Sequence, residues 1–293
     1  MKYTDLADAD CGIAQALGVV GDWWTLLVVR DIAGGVTRFD ALQRELGVSR
    51  KTLTDRLAAL VDAGVLERRP YSDHPPRSDY VLTPAGEGLL PVLVALQDWG
   101  DRFVLGDGSL TAGGAATSAE AHRVRSLVGK RVPALSLRRH DGERADPLAG
   151  DRWTVLYCFP GAFAPGSDGY PPGWDQIPGT RGCTLESRTY AEHHDDFASA
   201  GADVRGVSTQ RPDQLAAFVV HAALPFPLLS DADSLLAASL RLPTFRASGV
   251  DRLKRLTLLV DAQRTVRAVQ FPVTDPAASV TEALDLLRTL AND

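Results

Sequence analysis

The sequence predicts two domains, a mainly α-helical one followed by an α/β one. Apolar residues recur at helical spacing over the first hundred residues, and after about residue 123 strand-like apolar runs alternate with helical segments. The stretch between them, GDGSLTAGGAATSAE, has the composition of a flexible linker. We therefore expect domains at residues 1–105 and 123–293, joined by a linker at 106–122.

The composition limits the class of protein. With 45% hydrophobic and 23% charged residues, the chain is typical of globular proteins and not of disordered ones. No apolar run approaches the roughly 18 residues that span a bilayer, and the N-terminus lacks a secretion-signal pattern. Three cysteines, an odd number, argue against a disulfide framework. We expect a cytoplasmic chain with no membrane partner.

In the first domain, helical spacing predicts helices over residues 13–29, 39–46, 53–61 and 89–99. A short helix from Arg38 ends at Gly47, and Ser49 is a suitable N-cap for a second helix that stops at Gly64. Two short helices joined by a glycine-containing turn form a helix-turn-helix.

The second of these helices has one apolar stripe, so its opposite face is available for DNA. We expect Lys51 and Thr52 near base edges and Arg50 and Arg56 on phosphates. Residues 38–77 hold eight basic and six acidic residues, so the small surplus predicts modest affinity for one copy and a need for two.

The stretch after Gly64 predicts a β-hairpin wing, with strands at residues 65–71 and 79–82 and its tip at 73–77. Arg77 is placed to reach a minor groove or a phosphate. Thr83 and Pro84 then begin another helix. A small helical domain with solvated charges would explain the helices alone, but the wing favours DNA binding.

These motifs, taken in order, resemble the HxlR-type winged helix-turn-helix regulators over residues 5 to about 105. They are CGIA at 11–14, GDWWTLL at 21–27, RF at 38–39, SRKTLTDRL at 49–57, GVL at 64–66, PPR at 75–77, YVLT at 80–83 and Gly86. The resemblance implies operator double-stranded DNA as partner and a homodimer formed through the first and last helices, including Trp99. The set of expected DNA-binding residues is then Arg38, Ser49, Arg50, Lys51, Thr52, Arg56 and Arg77.

The resemblance also implies that Cys11 senses oxidants or electrophiles. A small buried residue of the first helix is the alternative for Cys11. Asp8 and Asp10 would raise its thiol pKa, which opposes reactivity.

The second domain begins with an alternating run at 132–137 that meets Asp141-Gly142, a hairpin signal. We predict strands at 153–159, 204–208, 256–260 and 266–271, and helices at 184–200, 212–223 and about 276–290. Strands that alternate with helices indicate a layered α/β domain.

The run PGTRGCT at 178–184 places Cys183 at the start of the helix at 184–200. A sulfur in the first turn faces unpaired amides and the positive end of the helix dipole, and both favour the thiolate. The alternative for Cys183 is an ordinary helix-cap cysteine in a fold without chemistry. His193 and His194 are adjacent and face different ways on a helix, so no metal is predicted.

This half resembles the peroxiredoxin and redoxin branch of the thioredoxin fold over about residues 124–291. Thr180-Arg181-Gly182-Cys183 is similar to the family's Thr-x-x-Cys, and Arg255-Leu256-Thr257 to its later Arg-x-Thr strand. The resemblance implies that Cys183 is the peroxidatic cysteine, that Thr180 orients the peroxide and that Arg255 stabilises the thiolate. It implies a peroxide or other oxidant as substrate, an unknown thiol reductant and no cofactor.

Two features depart from that pattern. Residues 161–177, rich in Gly and Pro, are inserted before the Thr-Cys loop and could cover the pocket. No second cysteine stands five residues after Cys183, where Arg188 lies, and Cys158 falls in a predicted core strand. A resolving thiol must come from Cys11, another subunit or a small molecule.

The sequence as a whole predicts a mainly α winged helix-turn-helix followed by an α/β thioredoxin-like fold. The function we expect is a dimeric, redox-responsive transcription regulator that senses or reduces peroxides through Cys183. A thiol peroxidase with a self-regulating DNA domain is one alternative. A regulator whose redoxin domain is silent and serves dimerisation or ligand binding is the other.

Overall fold

A computed structural model describes residues 10–74 and 76–291. The chain divides into two compact units, Met1–Leu93 and Val94–Asp293. Pro75, at the tip of the predicted wing, lies outside the described residues, as do residues 1–9, which include Asp8.

The first unit begins with two helices where the sequence predicted one. They are α1 (Gly12–Val20) and α2 (Trp23–Ala33). The break has a local cause, because Asp22 adopts an extended conformation and its side chain accepts a hydrogen bond from the Trp24 amide at 3.0 Å.

The helix-turn-helix is formed by α3 (Phe39–Leu46) and α4 (Arg50–Asp62). Gly47 ends α3 with a positive φ of 64°, which glycine adopts without strain. Ser49 caps α4 by accepting a hydrogen bond from the Thr52 amide at 3.1 Å. Leu53, Leu57 and Leu60 of α4 are buried, as the apolar stripe predicted.

The wing is an antiparallel hairpin of β1 (Leu66–Asp73) and β2 (Pro76–Leu82), with an irregular register between Pro70 and Ser72. Thr83 caps the short α5 (Pro84–Glu87), whose first residue is the predicted proline. The next helix, α6 (Leu90–Phe103), contains the division between the two units.

The second unit is built on a seven-stranded mixed sheet in the order β11-β10-β5-β6-β7-β3-β4. Its strands are β3 (Leu137–Arg139), β4 (Arg144–Ala145), β5 (Trp153–Cys158), β6 (Ala202–Ser208), β7 (Leu228–Ser230), β10 (Leu256–Val260) and β11 (Val266–Gln270). The strands β5, β6 and β7 are parallel, and β10 runs antiparallel to β5. A separate hairpin pairs β8 (Thr244–Ala247) with β9 (Val250–Leu253).

The helices of this unit are α7 (Ala119–Arg125), α8 (Cys183–Glu192), α9 (His194–Ser199), α10 (Pro212–Ala222), α11 (Leu235–Leu240) and α12 (Ala278–Ala291). The predicted helix at 184–200 is therefore two helices, separated at His193. Tyr157, Tyr190, Phe197 and Phe218 are fully buried in one core cluster that also contains Cys183. The structure thus has a helical region that contains the helix-turn-helix, followed by a thioredoxin-like α/β fold. This confirms the predicted fold class.

The segment predicted as a linker contacts the rest of the second unit. Ala112 is buried, and its amide donates to the carbonyl oxygen of Pro178 at 2.8 Å. Glu120 pairs with Lys254 at 2.8 Å, and both side chains are nearly buried. The domain boundaries remain a prediction.

Of the helices in the described residues, none alone is long and apolar enough to cross a membrane. The helices α1 and α2 meet such a test only when they are taken together across a 76° bend.

Candidate functional site

The helix α4 presents the side chains that we expect near DNA bases. Lys51 is exposed and Thr52 is half-buried on the face away from the leucine stripe. The hydroxyl groups of Ser49 and Thr52 lie 2.9 Å apart, so the two side chains fix the start of the helix together. Ser49 thus has a structural role in addition to any DNA contact.

The expected phosphate-binding arginines have acidic neighbours in this structure. Arg50 lies 3.2 Å from Asp40, Arg56 lies 3.0 Å from Asp22, and Arg38 lies 3.4 Å from Asp79. Exposed pairs of this kind contribute about 0–1 kcal/mol each, so a phosphate can displace them at small cost.

Arg77, the residue of the wing that we expect to reach DNA, is exposed. The sequence placed it in the tip of the hairpin, and in the structure it is the second residue of β2, because the strand begins earlier than predicted. Its position leaves the guanidinium accessible to a nucleic acid backbone.

Cys11 is exposed and occupies the N-cap position of α1. The structure therefore does not support the alternative that Cys11 is a buried residue of the first helix. Large apolar side chains of α1, such as Ile13, are exposed, and on α6 Leu96, Trp99 and Phe103 are each about half exposed. These apolar faces are uncommon on a monomer surface.

The second site is centred on Cys183, the first residue of α8, at 2% exposure. Gly182 precedes it with a φ of 100°, and a Cβ there would lie 2.5 Å from Cγ of Pro276. Only glycine adopts this conformation so close to Pro276 without strain, so Gly182 allows the turn that leads into Cys183 and α8.

Arg255 reaches this sulfur from the turn between β9 and β10. Its Nη2 lies 3.4 Å from Sγ of Cys183 and donates to the Arg181 carbonyl oxygen at 2.9 Å. Its Nη1 forms a buried ion pair with Oε2 of Glu186, one turn further along α8. One guanidinium therefore connects the thiol to a buried carboxyl group.

Burial raises the pKa of the Cys183 thiol, the Arg255 guanidinium opposes that rise, and the Glu186 carboxylate adds to it. The Gly161 amide also favours the ionised sulfur. Burial likewise raises the pKa of Glu186 to about 7. The helix start was expected to favour the thiolate, and removal of the sulfur from water acts against it and raises the pKa.

Thr180 lies in the same loop, but its hydroxyl does not point at the sulfur. Its Oγ1 lies 2.8 Å from the carbonyl oxygens of Trp174 and Ile177, and the side chain is buried. The contact with Cys183 is made by the Thr180 carbonyl oxygen, which accepts from Sγ at 3.5 Å. In this conformation the Thr180 hydroxyl, which we expected to orient the peroxide, instead forms hydrogen bonds within its own loop.

The start of the insertion at 161–177 packs near the thiol, since Ala162 belongs to the core cluster that contains Cys183 and the Gly161 amide interacts with the sulfur. Ala162, Phe163 and Trp174 are buried, and the side-chain amide of Gln210 makes two hydrogen bonds to the backbone of Ala162, at 2.8 and 2.9 Å. The insertion is thus fixed at its first residues, which follow the end of β5.

Two charged side chains that interact with this site, Glu186 and Arg252, were not among the residues predicted from the sequence. Glu186 follows Cys183 by three residues, a spacing that places two side chains on one helix face and could have identified it. Arg252 of β9 is buried and interacts electrostatically with Cys183, and no sequence signal pointed to it.

The third cysteine, Cys158 at the end of β5, is fully buried, and burial raises its thiol pKa well above the usual value. This agrees with its expected place in the core. A cysteine in this environment is a poor nucleophile.

Comparisons with known proteins match the first and second parts of the chain separately. The family model of the HxlR-like helix-turn-helix matches residues 19–106, and that of the AhpC/TSA family matches residues 176–269. An uncharacterised HTH-type transcriptional regulator of Mycobacterium tuberculosis is 38% identical over 150 residues, which cover 50% of this chain and 80% of that protein.

Peroxiredoxin Bcp of Escherichia coli is 28% identical over 146 residues, which cover 48% of this chain and 83% of that protein. Among solved structures, peroxidoxin BcpB from Mycobacterium tuberculosis is 26% identical, with a TM-score of 0.47, and the match covers 56% of this chain and 97% of that one. The two matched family segments do not overlap.

Proposed function

This chain belongs to the HxlR-like helix-turn-helix regulators and carries a peroxiredoxin-like domain of the AhpC/TSA type, and from that premise we propose a redox-responsive transcription regulator. Its second domain reacts with peroxides through Cys183. The first domain binds operator DNA as a homodimer, with an affinity that depends on the oxidation state of that sulfur.

The observation that carries this proposal is the 3.4 Å contact between Nη2 of Arg255 and Sγ of Cys183. Because Glu186 pairs with the other nitrogen, the thiol can ionise while the buried carboxylate takes up a proton. The net charge of the buried cluster of Cys183, Glu186 and Arg255 is then unchanged, which avoids the cost of creating a new buried charge. A carboxyl group with a pKa of about 7 is suited to this exchange.

The reaction is a two-electron oxidation of the sulfur. The Cys183 thiolate attacks one oxygen of the peroxide, the S–O bond forms and the O–O bond breaks. Sulfur becomes sulfenic acid, and the departing oxygen takes the proton that the thiol gave up. Because Cys183 is only 2% exposed, a peroxide reaches Sγ only when the residues packed around the sulfur move.

Return to the thiol needs two further thiols: the first attacks the sulfenic sulfur, forms a disulfide with Cys183 and releases water, and the second attacks that disulfide and frees the Cys183 thiol. Cys158 is unsuited because it is fully buried. The reductant is therefore Cys11, a cysteine of another subunit or a small thiol. Glutathione-like and other low-molecular-weight thiols are the simplest candidates for a buried sulfur.

On the DNA side, the proposal rests on α4 and the wing. Lys51 and Thr52 face the base edges, while Arg50, Arg56 and Arg77 bind phosphates. The exposed apolar faces of α1 and α6, which include Ile13 and Trp99, would be covered by the second copy. A clean switch between two operator affinities needs several kcal/mol of difference between the oxidised and reduced states, about 5.5 kcal/mol for a nearly complete one.

The test is DNA binding before and after treatment with hydrogen peroxide. The probe is a fragment that the reduced protein selects from a random library, and wild type is compared with Cys183→Ser and with Cys11→Ser. The proposal expects a changed affinity in wild type and in Cys11→Ser, and no change in Cys183→Ser. Unchanged affinity in wild type would refute it.

The same samples distinguish the alternatives. Peroxide consumption with a thiol donor, without any change in DNA affinity, would identify a thiol peroxidase that carries a DNA-binding domain. This alternative is favoured by the complete Cys183–Arg255–Glu186 arrangement, which needs nothing from the first unit. No peroxide consumption and no change in affinity would leave a regulator with a silent second domain.

A further inference from the structure

We propose that a cavity of the second unit, separate from the thiol site, binds a small organic cation with an apolar group, a ligand of the class of hydrophobic amines. The cavity has a volume of about 390 Å³, which is within the range of small-molecule sites. It lies inside the second unit, because its lining residues begin at Asp98 and the division of the chain falls before Val94. The proposal goes beyond the redox function and does not depend on it.

Three parts of the chain enclose this cavity. They are the last turns of α6 with residues 105–115, the start of α7, and two side chains from the region of the β8–β9 hairpin, Phe245 and Lys254. Leu105, Leu110 and Phe245 provide apolar surface, and Leu110 packs against the small core cluster that contains Phe245. A ligand in the cavity therefore has hydrocarbon and an aromatic ring to contact.

Three of the charged side chains that line the cavity belong to buried ion pairs. Lys254 pairs with Glu120 at 2.8 Å, and both side chains are nearly buried. Nη1 of Arg123 donates to Asp101 at 2.9 Å, and the side chain of Asp101 is 5% exposed. The charges of each pair neutralise one another, and separating either pair would leave an uncompensated buried charge. These side chains are therefore not free to hold a ligand.

Asp98 on α6 differs from the other charged side chains of the cavity. Among the described residues, its carboxylate has no hydrogen bond and no ion pair. The carboxylate of Asp107 accepts from the Ser109 amide at 2.9 Å. Nε of Arg102 donates to the Gly108 carbonyl oxygen at 2.7 Å. A half-buried carboxylate that faces a cavity without a partner is suited to a cation that arrives from outside.

The electrostatic surroundings of Asp98 agree with a cationic ligand. Burial raises the pKa of Asp98 to about 6. Lys254 and Arg102 oppose this rise, while Asp251 and Glu120 add to it. Four acidic and two basic side chains line the cavity, and the arginine that pairs with one of these carboxylates leaves one negative charge in excess. Asp98 is therefore mostly ionised at neutral pH, where a protonated amine can pair with it.

These features together define the ligand class. A protonated amine donates a charge-assisted hydrogen bond to Asp98, which is roughly twice as strong as a neutral one. Its apolar group contacts Leu110 and Phe245. A neutral ligand would lack the ionic contact, and an anion would meet the excess negative charge.

The experiment measures the binding of three probes of similar size to the full-length reduced protein by isothermal titration calorimetry. The probes are phenethylamine, which is a cation, phenethyl alcohol, which is neutral, and hydrocinnamate, which is an anion. Wild type is compared with Asp98→Asn, which keeps the shape of the side chain, and with Asp98→Glu, which keeps its charge. Asp107→Asn is the matched control, because it removes an equal charge from the same cavity at an exposed position.

At neutral pH we expect wild type to bind phenethylamine about tenfold more tightly than phenethyl alcohol, as a charge-assisted hydrogen bond gives. Asp98→Asn should lose this preference, while Asp98→Glu and Asp107→Asn should keep it. In wild type the affinity for the amine should fall toward pH 5, where Asp98 takes up a proton and the amine stays charged. This pH dependence tests the proposal without any substitution, should Asp98→Asn fail to fold.

No measurable binding of phenethylamine by wild type, or equal affinity for the amine and the alcohol, would overturn the proposal. An unchanged preference in Asp98→Asn would do the same, as would an equal loss in Asp107→Asn, which would indicate overall charge and not a contact with Asp98. Tighter binding of hydrocinnamate would assign the cavity to an anion instead. Because Cys183 takes no part in this measurement, none of these outcomes bears on the proposed redox function.

Discussion

Replacement of Arg255 by glutamine should strongly slow the oxidation of Cys183. The substitution removes the cation that lies 3.4 Å from Sγ and keeps a polar side chain of similar reach. The sulfur then has to ionise in a buried site beside Glu186, whose carboxylate also loses its partner. Both effects favour the neutral thiol.

The magnitude follows from the geometry. Two unit charges 3.4 Å apart interact by about 5 kcal/mol at an effective dielectric constant of about 20, which corresponds to about 3.5 pKa units for the thiol. Glu186 takes up a proton once its partner is gone, and this recovers part of the loss because its repulsion of the sulfur ends. We therefore expect at least about a tenfold lower oxidation rate at neutral pH, equivalent to one pKa unit.

The assay is the second-order rate constant for hydrogen peroxide, followed by mass spectrometry of the Cys183 peptide across a range of pH. Arg255→Lys keeps the charge and should retain most of the rate. Arg267→Gln, on the adjacent strand with its partner Asp261 at 3.3 Å, controls for the loss of an arginine elsewhere in the sheet. A folded Arg255→Gln variant that reacts as fast as wild type would refute this reasoning.

Four further changes test separate parts of the structure. Gly182→Ala should lower the free energy of unfolding by roughly 1–3 kcal/mol, measured by urea denaturation, because its φ is 100° and the new Cβ would meet Pro276 at 2.5 Å. Ser49→Ala should cost about 1 kcal/mol in the same measurement through the lost N-cap, and equal stability would contradict the capping role. The free energy of unfolding should fall as pH rises from 4.5 toward 7, because the native state holds the Glu186 proton more tightly than the unfolded chain does, and Glu186→Gln should flatten that slope. Iodoacetamide should leave Cys158 unmodified until the protein is unfolded, as peptide mapping would show, and labelling in the native state would contradict its burial.

The elements of the fold were predictable wherever a local pattern was strong. The helix α4 has both of its boundary signals in the sequence, Ser49 before it and Gly64 after it, and the structure places its ends within two residues of the prediction. The strand β5 was visible as a continuous apolar run. By contrast, β7 has only three residues, which is too short for an apolar pattern in the sequence to reveal a strand.

Breaks within helices were also beyond the sequence patterns. The apolar spacing continues through Asp22 and through His193, yet both positions end one helix and begin another. At Asp22 the capping hydrogen bond to Trp24 competes with the helical one, and a single sequence does not reveal which of them is formed.

The site was predictable in part. Cys183 and Arg255, separated by 72 positions, were paired from the family resemblance, and the structure brings their side chains into contact. The burial of the sulfur was not predictable, because Cys183 packs in a core cluster with Tyr157, Tyr190 and Ala162, which come from three different parts of the chain.

The most direct test of the redox role is the rate constant of Cys183 with hydrogen peroxide, compared with that of free cysteine at the same pH. We predict a larger value for the protein at neutral pH, because Arg255 at 3.4 Å and the Gly161 amide stabilise the charge that develops on sulfur while Glu186 takes up the thiol proton. A rate no greater than that of free cysteine, in a protein that still binds DNA, would contradict the claim that this buried thiol is the redox centre.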